Sequence, residues 1–210
     1  MDIAILKWVH GVFHEQMWLN YIMKYLTYIG EFGAGAMVCA VALFIFKKTR
    51  WAGVAVGLAF VVDVLVVNVI LKLAVNRERP WQQYPDLGFH EFHQLIGVRE
   101  PTDSSFPSGH TASLFCASVA LIMYYKVKGL PALAVAVVVA LSRIYLCMHF
   151  PSDVLGGALI GSACGVAGYY LGKLAHKLFD EKIYPWLLKK FKKQQEAEPA
   201  EPQAEEELSE

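Results

Sequence analysis

Three short polar clusters interrupt an otherwise apolar chain: Lys72 through Arg79-Pro80, then Pro107-Ser108-Gly109-His110, then Ser142-Arg143 with His149 and Asp153 behind it. Between them they supply three cations, two imidazoles and a carboxylate, the groups needed to hold a phosphoryl group and attack it. Lysine offers phosphate a point charge and arginine a bidentate fork. Ser108 and Gly109 open an apolar run, so unpaired backbone amides and the positive end of a helix dipole are available to an anion there. His110, one residue on, is positioned to protonate a departing oxygen. His149 and Asp153 are four residues apart across a proline, a spacing that lets a carboxylate hold one ring nitrogen while the other faces a substrate. Charge is costly at membrane depth, so clusters of this kind at the ends of apolar runs point to function.

The elements that must position these groups are membrane-spanning helices. Hydrophobic residues make up 56% of the 210 and bunch into runs long enough to cross a bilayer, which excludes an ordinary soluble enzyme. The expected fold is an all-α integral membrane protein, a bundle of five or six transmembrane helices with an N-terminal amphipathic or tilted helix and a C-terminal basic interfacial helix. Residues 1–25 mix apolar side chains with Lys7, His10, His14, Glu15 and Lys24, the pattern of an amphipathic interfacial helix. Spans are expected at residues 26–46, 51–71, 108–125, 129–148 and 154–172, within a transmembrane domain of residues 26–172. A helix running on past Leu71 would carry Asn68, Lys72, Asn76 and Arg79 on one face, with Pro80 ending it. Ser108 is the expected N-cap of the third span, and Phe150-Pro151-Ser152 the break before the fifth. Gly157, Gly161 and Gly165, at four-residue intervals, line one helix face and invite a close neighbour.

Charge sets the orientation. Lys47, Lys48, Arg50, Lys126, Lys128 and the lysines of residues 173–193 lie at the ends opposite the three clusters, so the positive-inside rule makes those ends cytoplasmic and the clusters extracytoplasmic. Residues 173–193 read as a basic amphipathic helix at the membrane surface. Residues 194–210, whose last 15 positions hold seven glutamates, read as a disordered acidic tail. The N-terminus lacks the pattern of a removable signal peptide. Cys39, Cys116, Cys147 and Cys164 stand alone in apolar stretches, as small core residues without zinc-ligand spacing. Asp63, mid-span and nine residues before Lys72, is expected to pack rather than to react. Glu31, His90, His93, Arg99 and Asp103 fall on the cluster side, where they could shape a headgroup pocket; His90 and His93 lack a third metal ligand.

The segments Lys72-x6-Arg79-Pro80, Pro107-Ser108-Gly109-His110 and Ser142-Arg143-x5-His149-x3-Asp153 resemble the three-part signature of the type 2 phosphatidic acid phosphatase superfamily, in family order and without a departure at any signature position. The resemblance implies a helical bundle with an outward-facing site, no metal or other cofactor, and a covalent phosphohistidine. It makes His149 the nucleophile, Asp153 its orienting partner and His110 the general acid. Lys72, Arg79, Arg143, Ser108 and the Gly109 amide then hold the phosphoryl oxygens. The implied partners are a membrane lipid substrate and the bilayer, with no nucleic acid, in a bacterial-type cell membrane. The expected reaction is hydrolysis of a terminal phosphate from an isoprenyl diphosphate, phosphatidylglycerol phosphate or phosphatidic acid. A lipid phosphotransferase and a non-enzymatic anionic-lipid carrier are the alternatives, although a carrier would need the cations without both histidines.

Overall fold

The computed structural model describes residues 1–189, and every regular element among them is helical. The chain divides into two units, Met1–Lys173 and Leu174–Glu210. Helices α1 (Asp2–Phe13) and α2 (Met17–Thr27) come first, followed by a 3-10 segment, Tyr28–Gly33, and α3 (Ala34–Ile45). Helix α4 (Arg50–Asp63) passes through a π-helical stretch, Val64–Leu71, into α5 (Lys72–Val75). The short helices α6 (Pro80–Gln83) and α7 (Phe89–Ile96) precede α8 (Gly109–Tyr125), α9 (Leu130–Tyr145) and α10 (Pro151–Leu178).

Four helical stretches are long and apolar enough to cross a membrane: Met17–Ile45, Arg50–Gln83, Gly109–Tyr145 and Pro151–Lys189. The third is a hairpin, because the backbone leaves helical geometry at Lys126 (φ 56°) and α9 folds back along α8. These helices meet through small residues. A Cβ on Gly157 would lie 2.6 Å from the Ser108 carbonyl, one on Gly165 2.5 Å from that of Cys116, and one on Gly161 would meet that of Ala112. The face anticipated from the glycine spacing therefore lies directly on the α8 backbone. Farther along α10, Gly168 and Gly172 lie against Ala59 and Ala55 of α4 in the same way. Lipid gives apolar helices little reason to associate, so close backbone approach has to supply the dispersion contacts.

A second apolar cluster covers the end of the bundle where α9 stops. Leu6 of α1, Trp81 of α6, and Phe89, Phe92 and Ile96 of α7 bury against Tyr145–Phe150, with Met17, Leu19 and Met23 of α2 beside them. The N-terminal segment is thus not one amphipathic helix over residues 1–25. It breaks at residues 14–16, where Asn20 Nδ2 donates to the His14 carbonyl at 2.8 Å, and Tyr145 Oη donates to Asn20 Oδ1 at 2.7 Å. The first apolar span is kinked as well: Phe32 and Gly33 have positive φ (50° and 70°), which turns the chain between α2 and α3.

The expected long helix through Arg79 does not form. It ends at Asn76, which adopts left-handed geometry (φ 44°), a conformation that asparagine tolerates better than most residues. Pro80 instead opens α6 at its first position, with Arg79 extended as N-cap. In the unit beginning at Leu174, a π turn, Phe179–Ile183, is flanked by exposed i,i+4 pairs, His176–Asp180 at 3.2 Å and Lys177–Glu181 at 3.8 Å. The region read as a basic helix is helical as far as residue 189. Its remainder and the acidic tail at 194–210 lie outside the described residues.

Candidate active site

Lys72 and Arg79 converge although they share no helix face. Both reach Asp103: Lys72 Nζ lies 2.5 Å from Oδ2, Arg79 Nη2 lies 2.5 Å from Oδ1, and Arg79 Nε donates to the Asp103 carbonyl at 2.9 Å. Burial pushes the Asp103 carboxyl up, but the Lys72 hydrogen bond and the charges of Arg79 and Lys72 outweigh it and hold the group below the usual carboxylate range. Arg79 is itself buried, with its guanidinium over the Trp81 ring at 5.4 Å and Nη1 donating to the Met148 carbonyl at 3.2 Å.

His149 is aimed by the way α9 ends. Met148 N–H donates to the Arg143 carbonyl and Cys147 N–H to that of Ile144, both at 3.0 Å, while Cys147 takes left-handed geometry (φ 52°). This is the double bond of a Schellman cap, with cysteine where glycine is usual, and it reverses the chain. His93 of α7 secures the turn, its Nε2 donating to the Leu146 carbonyl at 2.6 Å while Nδ1 lies 2.6 Å from Glu100, which also reaches His90 at 2.9 Å.

The expected direct bond between Asp153 and His149 is absent, because His149 Nδ1 and Asp153 Oδ2 are 3.8 Å apart. The ring nitrogen is satisfied by the Ser105 carbonyl at 2.8 Å. A carbonyl can only accept, so Nδ1 carries the proton and Nε2 presents its lone pair, 3.3 Å from Arg79 Nη1. Burial, then the charges of Arg79 and Arg143, hold the imidazole well below its ordinary pKa, leaving it neutral near pH 7. Asp153 meanwhile takes Arg77 Nη1 on Oδ1 at 2.5 Å, and Ser105 Oγ at 2.5 Å and the Phe150 N–H at 2.9 Å on Oδ2.

A cavity of about 510 Å³ joins these groups: Lys72, Arg79, Gly109, His110, Arg143 and His149 all line it. Arg143 enters from α9, bonded through Nη1 to Thr27 Oγ1 at 2.7 Å, with its buried Nε lacking a protein partner. His110 stands in the first turn of α8, where the absence of a side chain at Gly30 makes room for its ring. Gly109 faces the Lys72 ammonium, 3.5 Å from where a Cβ would stand. Two of the anticipated residues stand outside the cavity lining, Asp153 behind His149 and, at the start of α8, Ser108. It occupies the N-cap position of α8, but its hydroxyl makes no capping bond; it accepts from Thr111 Oγ1 at 3.1 Å, and its N–H donates to the Asp153 carbonyl at 3.1 Å. It does not line the cavity. Asp63, Glu31, Arg99 and Asp103 do, whereas His90 and His93 belong to the structure behind it.

Sequence reasoning missed Arg77 and Ser105. Arg77 lay in view two residues before Arg79, and Ser105 three before Ser108, but each acts through the fold, by a side chain or carbonyl that meets residues far away in the chain.

A membrane-embedded helical bundle with two imidazoles and four cations around one cavity is equipped to hold an anionic phosphoryl group and transfer it. Residues 48–177 match the PAP2 superfamily, and the chain belongs to that superfamily. It is 33% identical to phosphatidylglycerophosphatase B of Bacillus subtilis over 87% of this chain and 84% of that one. It is 27% identical to undecaprenyl-diphosphatase BcrC of the same organism, over 92% and 96%. Among solved structures it resembles the PAP2-type phosphatidylglycerolphosphate phosphatase of B. subtilis, with a TM-score of 0.59, 32% identity, and 87% and 85% of the two chains covered. It also resembles Aquifex aeolicus LpxE, with a TM-score of 0.61, 27% identity, and 80% and 93% covered.

Proposed function

We propose that this lipid phosphatase removes a terminal phosphate from an isoprenyl diphosphate or a phospholipid phosphate, through a phosphohistidine on His149. The observation that carries the reading is the tautomer of His149: with Nδ1–H committed to the Ser105 carbonyl, the Nε2 lone pair sits beside Arg79 at the wall of a cavity that also holds His110 and Arg143. Nε2 attacks phosphorus as the bond to the lipid oxygen breaks, and His110 gives that oxygen its proton. Water then attacks phosphorus, the P–N bond breaks, His110 takes the water's proton and inorganic phosphate leaves. Lys72, Arg79, Arg143 and the Gly109 amide stabilise the charge spread over the three equatorial oxygens. Asp153 acts on His149 at one remove, through Ser105.

The substrate range rests on relatives named for both a glycerophospholipid phosphate and an isoprenyl diphosphate. The site opens on the extracytoplasmic side, because Lys47, Lys48, Lys126 and Lys128 close the opposite ends of the hairpins. With α8 and α9 as separate crossings, the bundle has five. Purified protein in detergent with EDTA, incubated with phosphatidylglycerol phosphate, phosphatidic acid and undecaprenyl diphosphate, tests the proposal. Native protein releases phosphate from at least one lipid, orthovanadate inhibits, and His149→Ala releases none. Equal release by His149→Ala would refute the nucleophile, and transfer of the phosphoryl group to a second lipid in place of release would identify a phosphotransferase.

A further inference from the structure

Asp153 is fully buried, and a buried carboxylate needs a counter-charge. None of the four cations lining the cavity, Lys72, Arg79, Arg99 and Arg143, provides a bond to it. Arg77 does, with Nη1 shared between Asp153 Oδ1 (2.5 Å) and Ser152 Oγ (2.8 Å), Nη2 on Asp2 Oδ2 at 3.2 Å, and the guanidinium stacked 4.2 Å from the Phe150 ring centroid. Its backbone binds the same neighbourhood: Arg77 N–H donates to Ser104 Oγ at 2.9 Å, and Ser105 N–H donates to the Arg77 carbonyl at 2.8 Å. Ser105 is therefore gripped by the Arg77 backbone on one side and by Asp153 through its hydroxyl on the other, while its carbonyl holds His149 Nδ1–H.

We propose that Arg77 is a positioning residue for the phosphoryl-transfer step, acting through Asp153 and Ser105 to fix the ring of His149 and to keep the Asp153 charge matched. This rests on the reading of His149 as nucleophile. Arg77 does not line the cavity, so its loss acts on the reactivity of His149 and not on capture of phosphate. The charged and titratable groups around His149 are Lys72 of α5, Arg79 before α6 with its partner Asp103, His110 of α8, Arg143 of α9 and Asp153 of α10. Replacing Arg77 by a neutral residue leaves the Asp153 carboxylate, 3.8 Å from Nδ1, uncompensated, and that favours imidazolium.

The test is a pH–rate series on detergent-purified native protein, Arg77→Gln, Arg77→Lys, Asp153→Asn and the Arg77→Gln/Asp153→Asn double variant, with orthovanadate inhibition measured alongside. Arg77→Gln should lower kcat about 10-fold or more, as loss of an outer orienting partner does. It should move the acid limb of kcat/KM to higher pH and leave the orthovanadate inhibition constant within about threefold. Arg77→Lys should keep the limb at its native position, because the charge is kept; this variant decides the matter if Arg77→Gln fails to fold. The double variant should be no slower than Asp153→Asn alone, because the two residues act in series. An unmoved acid limb in Arg77→Gln, a shifted limb in Arg77→Lys, or a double variant slowed by the product of the single factors would each overturn the proposal. Full activity in His149→Ala would overturn the nucleophile assignment instead, and is scored independently.

Discussion

The bundle and the layer covering the end where α9 stops are packed by opposite means. Where α3, α4, α8 and α10 meet, the core is mostly small, Ala36, Ala40, Val56, Ala59, Cys116, Ala117, Ala120 and Cys164 with Leu121, and glycines admit one backbone to another. Around the end of α9 the core is Leu6, Trp81, Phe89, Phe92, Ile96, Tyr145 and Phe150. The first is assembled where lipid already solvates apolar side chains, so contact distance decides stability. The second buries large rings as a water-soluble domain does, where area removed from water decides it. The candidate site lies at the seam: His110 and Arg143 come from bundle helices, while His149 comes from the turn that the ring-packed layer encloses.

That contrast can be broken experimentally. The largest effect is at the seam: His149→Ala should cut turnover about a millionfold, as loss of a nucleophile does. Within the bundle, adding atoms should be worse than removing them. Gly161→Leu forces α10 off the Ala112 carbonyl and should cost about 3 kcal/mol or more, read as loss of monodisperse protein or a lowered Tm in detergent. In the ring-packed layer the order reverses: Phe89→Ala should cost about 3 kcal/mol by thermal unfolding, and Phe89→Leu much less. A tolerated Gly161→Leu would remove the distinction between the two regions.

Smaller effects sharpen the picture. His149 is held neutral by burial and by Arg79 and Arg143, so kcat/KM should keep its acid limb below pH 6.5, and a limb at or above that value would contradict this electrostatic account. An unfolded imidazole takes up a proton around pH 6.5 while the folded His149 does not, so stability should decline as pH falls from there toward its depressed folded value. Smallest is Lys24→Met, which removes the ammonium donated at 2.8 Å to the Ile96 carbonyl at the end of α7. It should cost about 1 kcal/mol by thermal unfolding and leave kcat within about twofold.

Lys72, Arg79, Gly109, His110, Arg143 and His149 were legible because each is a chemically distinctive residue at a fixed position beside an apolar run. The close-packing face of α10 was legible too, because a four-residue glycine interval has one geometric reading on a helix, but only the structure shows that α8 is the neighbour. The end of α5 was not: periodicity pointed to a continuing face, and a single left-handed asparagine overrode it. Nor was the hidden role of Ser108, whose hydroxyl and N–H are both taken up inside the fold.

Composition and spacing alone determined that the chain is a membrane-embedded helical protein and which side chains could handle a phosphoryl group, since burial preference and charge cost are properties of residues in order. Only the tertiary structure decided who holds His149. Three segments, at 77, 105 and 153, meet behind its ring, and a backbone carbonyl takes the place that spacing assigned to a carboxylate, because hydrogen bonds depend on distances that chain order does not contain.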